Sequence, residues 1–130
     1  DTDIKGKKIE KLQFDKNFFP TKKQVVDTIL KFNIDESLMP YLIEGKTQDT
    51  LCLSENVPDQ ISFLRLDTDI YEPTIDQLNK LYPRLSKGGI LHIDDYGHCP
   101  GVKKAVDEYF VNKKIWLHRI DYTCRLLIKD

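Results

Sequence analysis

The sequence predicts an α/β fold with a largely parallel sheet, and three observations carry the prediction. Two apolar runs, "ISFLRL" (61–66) and "GILHIDDYG" (89–97), have the composition of strands. A stripe of apolar residues at helical spacing lies between them, and a second such stripe follows the second run. The chain then closes on "IWLHRIDYTCRLLIKD" (115–130), which reads as two short strands around "DYT". Strands joined by one helix are commonly neighbours in such a sheet.

Taken in order, residues 1–20 show no period. Phe14, Phe18 and Phe19 cluster ahead of Pro20, and the segment reads as a lid or loop. Residues 21–130 form the domain proper. Thr21 has the character of an N-cap, because Val25, Val26, Ile29 and Leu30 recur at helical spacing and Asn33 can close the helix. "YLIEG" (41–45) reads as a short strand ending in glycine. "ISFLRL" is mostly apolar, as strands buried on both faces are.

From Thr74, the positions Ile75, Leu78, Leu81, Tyr82 and Leu85 fit one helical stripe, with "SKGG" as the stop. "GILHIDDYG" is the second core strand and ends on Asp94 and Asp95. After "HCPG", Val102, Ala105, Val106, Tyr109 and Phe110 form the next amphipathic face. There is no internal repeat, low-complexity tract or linker.

Composition narrows the class. A length of 130 residues suits one domain, and 40% hydrophobic with 32% charged residues is ordinary for a globular protein. The 20 basic and 21 acidic residues leave a net charge of −1, so no global basic field points to nucleic acid. No apolar run reaches membrane-spanning length. Cys52, Cys99 and Cys124 are scattered, without a C-x-x-C pair, which argues against a disulfide framework and a thiolate zinc site and for a reducing cytoplasm. The opening "DTDIKGKKIEK" is charged, lacks the apolar core of an export signal and begins without methionine, so a fragment, a processed chain or a late start is the expectation.

Ligands of an open α/β sheet sit beyond the carboxyl ends of its strands. Asp67 and Asp69 end the first strand, Asp94 and Asp95 the second, so four carboxylates converge on one edge. Like charges at close range raise each other's pKa and call for a cation or shared protons. Magnesium takes oxygen ligands and keeps positions open for water or a hydroxyl. A hydroxyl so bound loses its proton more readily, and Asp69 can accept it. The structural alternative is that Asp67 caps the following helix and that Asp94 and Asp95 are turn residues. The residues alone leave both readings open.

His98, in "DDYGHCPG", is a candidate base or fourth ligand, with a solvated loop histidine as the alternative. His92 and His118 lie in strands and read as structural. Tyr71 and Tyr96 each follow a carboxylate pair and can line a pocket or simply pack. Lys103 and Lys104 read as a solvated helix face.

"LRLDTDIY", "LYPRLSKGG", "IDDYG" and "AVDEYF", in that order and spacing, together with "YLIEGKTQDTL" upstream, closely resemble the TylF-like (macrocin O-methyltransferase) family of S-adenosylmethionine-dependent O-methyltransferases. The resemblance covers the chain from about Leu12 onward. It implies a Rossmann-like class I methyltransferase sheet, of which residues 21–130 would be the C-terminal portion. It further implies magnesium held by Asp67, Asp94 and Asp95, a sugar hydroxyl as acceptor, and Asp69 as general base. Gly45, Lys46 and Thr47, with Asp67, are placed beside the methyl donor by analogy with the fold.

Two substitutions depart from the family pattern. Pro73 stands where serine is usual, which a helix's first turn accepts. Ile70 replaces a residue that is often aromatic and bears on the acceptor pocket. Family members also carry an N-terminal half with the glycine-rich turn that grips the donor, and nothing in these residues resembles it. In such sheets the strand matching 61–66 pairs with the absent first strand, which would leave an apolar edge for the rest of a longer chain or a second copy to cover. The alternatives are a metal-dependent glycosyltransferase using "DTD" as a D-x-D motif, which leaves "IDDYG" unexplained, and a non-catalytic remnant.

Overall fold

The structure, a computed structural model, describes residues 20–32 and 34–130. The lid segment, apart from Pro20, and the helix stop at Asn33 lie outside the described residues. Helix α1 (Lys22–Leu30) starts at Thr21 with a reciprocal cap: Gln24 N–H donates to Thr21 Oγ1 at 3.2 Å, and Thr21 N–H donates to Gln24 Oε1 at 2.8 Å. Its apolar face is only half-buried, and Leu30 is exposed.

"YLIEG" is not a strand. Residues 41–44 have no ladder partner among the described residues and run instead beside α1, where Lys22 Nζ donates to the Leu42 carbonyl at 3.0 Å. A strand exists only where a neighbour takes its backbone groups, and none lies here. A single helical turn, α2 (Thr47–Thr50), follows.

The α/β class stands, as a mixed four-stranded sheet of order β1-β2-β4-β3. Strands β1 (Ile61–Leu66) and β2 (Leu85–Ile93) are parallel, joined by α3 (Tyr71–Leu81). After α4 (Pro100–Phe110), the chain returns as an antiparallel hairpin, β3 (His118–Arg119) and β4 (Arg125–Ile128), with β4 against β2. Leu64, Leu66, Leu91, Ile93 and Leu127 from the sheet meet Leu78 of α3 and Val102, Val106 and Phe110 of α4 in the core. Each such buried side chain stabilises by roughly 1.5–3 kcal/mol.

Strand β1 is buried on one face rather than two. Successive side chains alternate, so while Leu64 and Leu66 face α3 and α4, Phe63 and Arg65 turn to the opposite face, where Phe63 and Ile128 are both 55% exposed. Among the described residues no element covers that face.

The stretch 82–89 also differs from its sequence reading. Helix α3 stops at Leu81 and passes into a short 3-10 turn, Tyr82–Arg84, because Pro83 has no N–H to continue the ladder. Leu85 therefore opens β2, and the glycines lie within the strand. Gly88, at φ 76°, donates its N–H to the Lys129 carbonyl at 2.7 Å, and Lys129 N–H donates to the Gly89 carbonyl at 2.9 Å. The same irregularity shifts the β1–β2 register between Ile61 and Phe63. No helix among the described residues is long and apolar enough to cross a membrane.

Candidate functional site

The β1–β2 register builds the site. Leu66 stands opposite Ile93, and Asp94 N–H donates to the Leu66 carbonyl at 2.9 Å, which extends the pairing one step past the strand ends. Asp67 and Asp94 therefore emerge side by side. Since Leu66 and Ile93 point into the core, Asp67 and Asp94 take the opposite parity, that of Arg65 and His92. Arg65 Nη1 donates to Asp67 Oδ2 and Nη2 donates to Asp94 Oδ2.

Asp69 and Asp95 reach the same place by a different device. Their φ values are 59° and 53°, the left-handed region that aspartate tolerates better than most residues. The turn at Asp95 is tight: its carbonyl accepts from His98 N–H at 3.0 Å and Cys99 N–H at 2.7 Å. That turn carries the acidic pair back over the strand ends. Oxygens of Asp67, Asp94 and Asp95 lie within 4.8 Å of one another, and a second group of the same compactness joins Asp69, Asp95 and the buried Cys99 sulfur.

Electrostatics follow from this crowding. Burial, then a hydrogen bond with Asp69 and the charges of Asp69, Asp94 and Asp67, push the Asp95 carboxyl up to about 6. Burial works against the Arg65 charge, but its hydrogen bonds to Asp67 and Asp94 and their charges outweigh it and hold the guanidinium above its ordinary value.

The helix-cap reading of Asp67 does not hold. Helix α3 has Ile70 at its N-cap with no side-chain cap, and Asp67 is occupied by Arg65. Asp94 and Asp95 are turn residues, and they converge with Asp67 as well. Thus Asp67, Asp69, Asp94 and Asp95 come together. His98 belongs to neither acidic group; its ring meets Tyr122 edge-on at 6.0 Å. The segment of Gly45, Lys46 and Thr47 is tied elsewhere: α2 lies by the far end of α3, where Lys80 Nζ is 3.4 Å from Cys52 Sγ.

The two tyrosines anchor the loops. Tyr71 donates to Glu108 Oε2 and Tyr96 to Asp107 Oδ1, both at 2.6 Å, tying the turns after β1 and β2 to α4. Lys103 and Lys104, exposed as expected, cover the rings of Tyr96 and Tyr71 at 5.0 and 4.8 Å. Sequence reasoning missed Arg65 and Cys99. Strand alternation was the available signal for Arg65, two residues before Asp67 and so on its face. A cavity of about 360 Å³, lined by Tyr82, Trp116, His118 and Lys129, lies at the opposite edge, where β4 meets the start of β2.

Three clustered carboxylates are the donor set of a hard divalent ion, so the residues fit magnesium. Among the described residues no glycine-rich turn for a methyl donor follows β1 or β2. Gly97, the glycine of the turn after β2, is committed to the C-terminal hairpin: its N–H donates to the Thr123 carbonyl at 2.9 Å, and a Cβ on it would meet the Tyr122 carbonyl oxygen at 2.0 Å.

Known proteins resemble this chain in sequence and in fold. The chain is 53% identical over 51 residues to demethyldecarbamoylnovobiocin O-methyltransferase of Streptomyces niveus, a stretch covering 39% of this chain and 20% of that protein. It is 48% identical over 52 residues to mycinamicin III 3''-O-methyltransferase of Micromonospora griseorubida, again 39% and 20%. Among solved structures, the O-methyltransferase NovP superposes with a TM-score of 0.74 at 32% identity, covering 84% of this chain and 45% of that one. CalS11, a TDP-rhamnose 3'-O-methyltransferase of calicheamicin biosynthesis, gives 0.60 at 28% identity, covering 67% and 40%. The chain thus spans less than half of either solved relative. The family model for macrocin-O-methyltransferase (TylF) matches residues 3–129, nearly the whole sequence, and the chain belongs to that family.

Proposed function

We propose that this chain carries the metal- and acceptor-binding edge of an S-adenosylmethionine-dependent O-methyltransferase that methylates a hydroxyl of a sugar or a sugar-containing small molecule. The observation that carries the reading is the register that sets Asp67 beside Asp94, with Asp69 and Asp95 folded over them by left-handed turns. Asp67, Asp94 and Asp95 would hold magnesium. When bound, the ion supplies Lewis acidity to an acceptor hydroxyl.

The protein's own residues account for the proton. Asp69, hydrogen-bonded to Asp95 and outside the proposed ligand set, accepts it from the acceptor oxygen. His98, against Tyr122 on the neighbouring loop, is the second base of this reading. Tyr71 and Tyr96, fixed by α4, wall the acceptor side. The sugar assignment is supported by CalS11, whose name specifies a TDP-rhamnose substrate. Gly45, Lys46 and Thr47, with Asp67, are assigned to the methyl donor by fold analogy alone.

In the same reading further strands of the class I sheet cover the free edge of β1 and their helices cover the face bearing Phe63 and Ile128, for which a relative nearly twice as long has room. The three free cysteines suit a reducing cytoplasm. Calorimetric titration of the full-length protein with magnesium and with the donor tests the proposal, alongside mass detection of a methylated sugar. One divalent ion bound in the wild type and none in Asp94→Asn is the expected result; a full-length protein that takes up neither ion nor donor overturns it.

A further inference from the structure

The acidic edge contains a cation of its own. Arg65 spends its two terminal nitrogens on different carboxylates, one on Asp67 and one on Asp94, whereas a guanidinium paired for strength alone commonly takes both oxygens of one carboxylate. The two aspartates it joins are two of the three residues proposed above to hold magnesium. The third, Asp95, is hydrogen-bonded to Asp69 instead.

We infer that Arg65 is a positioning residue that acts as a resident stand-in for the metal: it clamps Asp67 to Asp94 while no ion is bound, and an arriving divalent ion must displace it. This inference rests on the magnesium reading.

Three features of the geometry support displacement over coexistence. Both Asp94 oxygens are already engaged, Oδ2 by Arg65 and Oδ1 by Asp95 N–H at 3.1 Å. A divalent ion seated on these oxygens stands beside the Arg65 guanidinium, and two cations at that range repel, so the ion displaces the clamp rather than sharing it. Next, the clamp is accessible: the side chains of Arg65 and Asp67 are 48% and 41% exposed, which leaves the guanidinium room to swing into solvent along the open sheet face. Finally, the strand parity that puts Arg65 on the face of Asp67 and Asp94 fixes its backbone beside them, so it returns when the ion leaves. The clamp would keep the ligands at ion-holding separation and set a threshold that weakly bound cations do not pass.

The test compares Arg65→Gln and Arg65→Lys with the wild type in the full-length chain. The readouts are manganese(II) affinity by electron paramagnetic resonance and the thermal midpoint with and without the ion. Asp94→Asn serves as the blank. Removing the competitor should tighten ion binding in Arg65→Gln, by roughly two- to fivefold for a half-exposed pair, while lowering the midpoint of the ion-free protein. Arg65→Lys, which can reach only one carboxylate at a time, should fall between, and it decides the matter if Arg65→Gln does not fold. Binding by Arg65→Gln where the wild type shows none also supports the clamp. Unchanged or weaker binding in the variants, with the wild type binding normally, overturns this inference and leaves the magnesium reading intact. No binding by any of them overturns both.

Discussion

Gly97 lies so close to Tyr122 that a Cβ built on it would stand 2.0 Å from the tyrosine's carbonyl oxygen. The obstacle is backbone, so no rotamer change relieves it. Gly97→Ala should push the hairpin turn at residues 121–124 away from the Asp95 turn and break the Gly97–Thr123 hydrogen bond. Overpacking of this kind costs about 1–3 kcal/mol, with the lost bond adding about 1 kcal/mol. Urea denaturation of the variant should show a lower midpoint at an unchanged slope, and divalent-ion binding should weaken with it because the turn that carries Asp94 and Asp95 loses the hairpin it rests on.

Asp94→Asn separates site chemistry from stability. The ion pair it removes is partly exposed, so its loss should cost no more than about 1 kcal/mol. The effect on metal binding should be far larger, because an amide cannot replace an anionic ligand in a three-carboxylate set. Calorimetry and denaturation on the same preparation check both halves. A variant that binds magnesium like the wild type would show that the cluster is structural.

Much of this arrangement was legible in the sequence for one reason: apolar runs that end in paired aspartates fix both where a strand stops and what stands at its end. Two neighbouring strands, each ending in aspartates and joined by one helix, were enough to bring Asp67 and Asp94 to one edge. The misreadings share a cause as well. "YLIEG" has strand composition, but a strand is a relation between two segments, and no neighbour lies beside residues 41–44 in the described residues. Leu85 continues the helical stripe of α3 in sequence, yet Pro83 ends the helix before reaching it. Arg65 went unnoticed because a charged residue in an apolar strand reads as a solvent-facing interruption until the partner strand supplies a second carboxylate.

Acid should loosen the C-terminal hairpin first at Asp121. Backbone N–H groups of Cys124 and then Thr123 hold its carboxyl below the usual range, helped by the Thr123 hydroxyl and the Arg125 charge. Arg119 faces the same turn and donates Nε to the Asp121 carbonyl at 3.0 Å. Because the folded-state pKa is depressed, the contribution is fully present above the unfolded value of 3.8 and is lost as pH falls through the lower folded value. Stability measured from pH 5 downward should therefore decline less steeply in Asp121→Asn than in the wild type. Parallel curves would show that the turn does not depend on the ionised carboxyl.

The two faces of the sheet should respond differently to truncation. Leu91 is fully buried and stands between Leu64 and Leu127 in the register, so Leu91→Ala opens a cavity at the centre of the core and should cost about 2–5 kcal/mol. Phe63 is 55% exposed on the open face, and Phe63→Ala in the 130-residue chain should cost well under half as much. Placing the same pair of substitutions in a form of the protein that carries the proposed further strands makes the comparison diagnostic. If further strands extend the sheet and their helices cover this face, the Phe63 penalty should rise toward that of Leu91, because the ring then loses packing as well as surface. A Phe63 penalty that stays small in that longer form would mean that this face is open to solvent there as well.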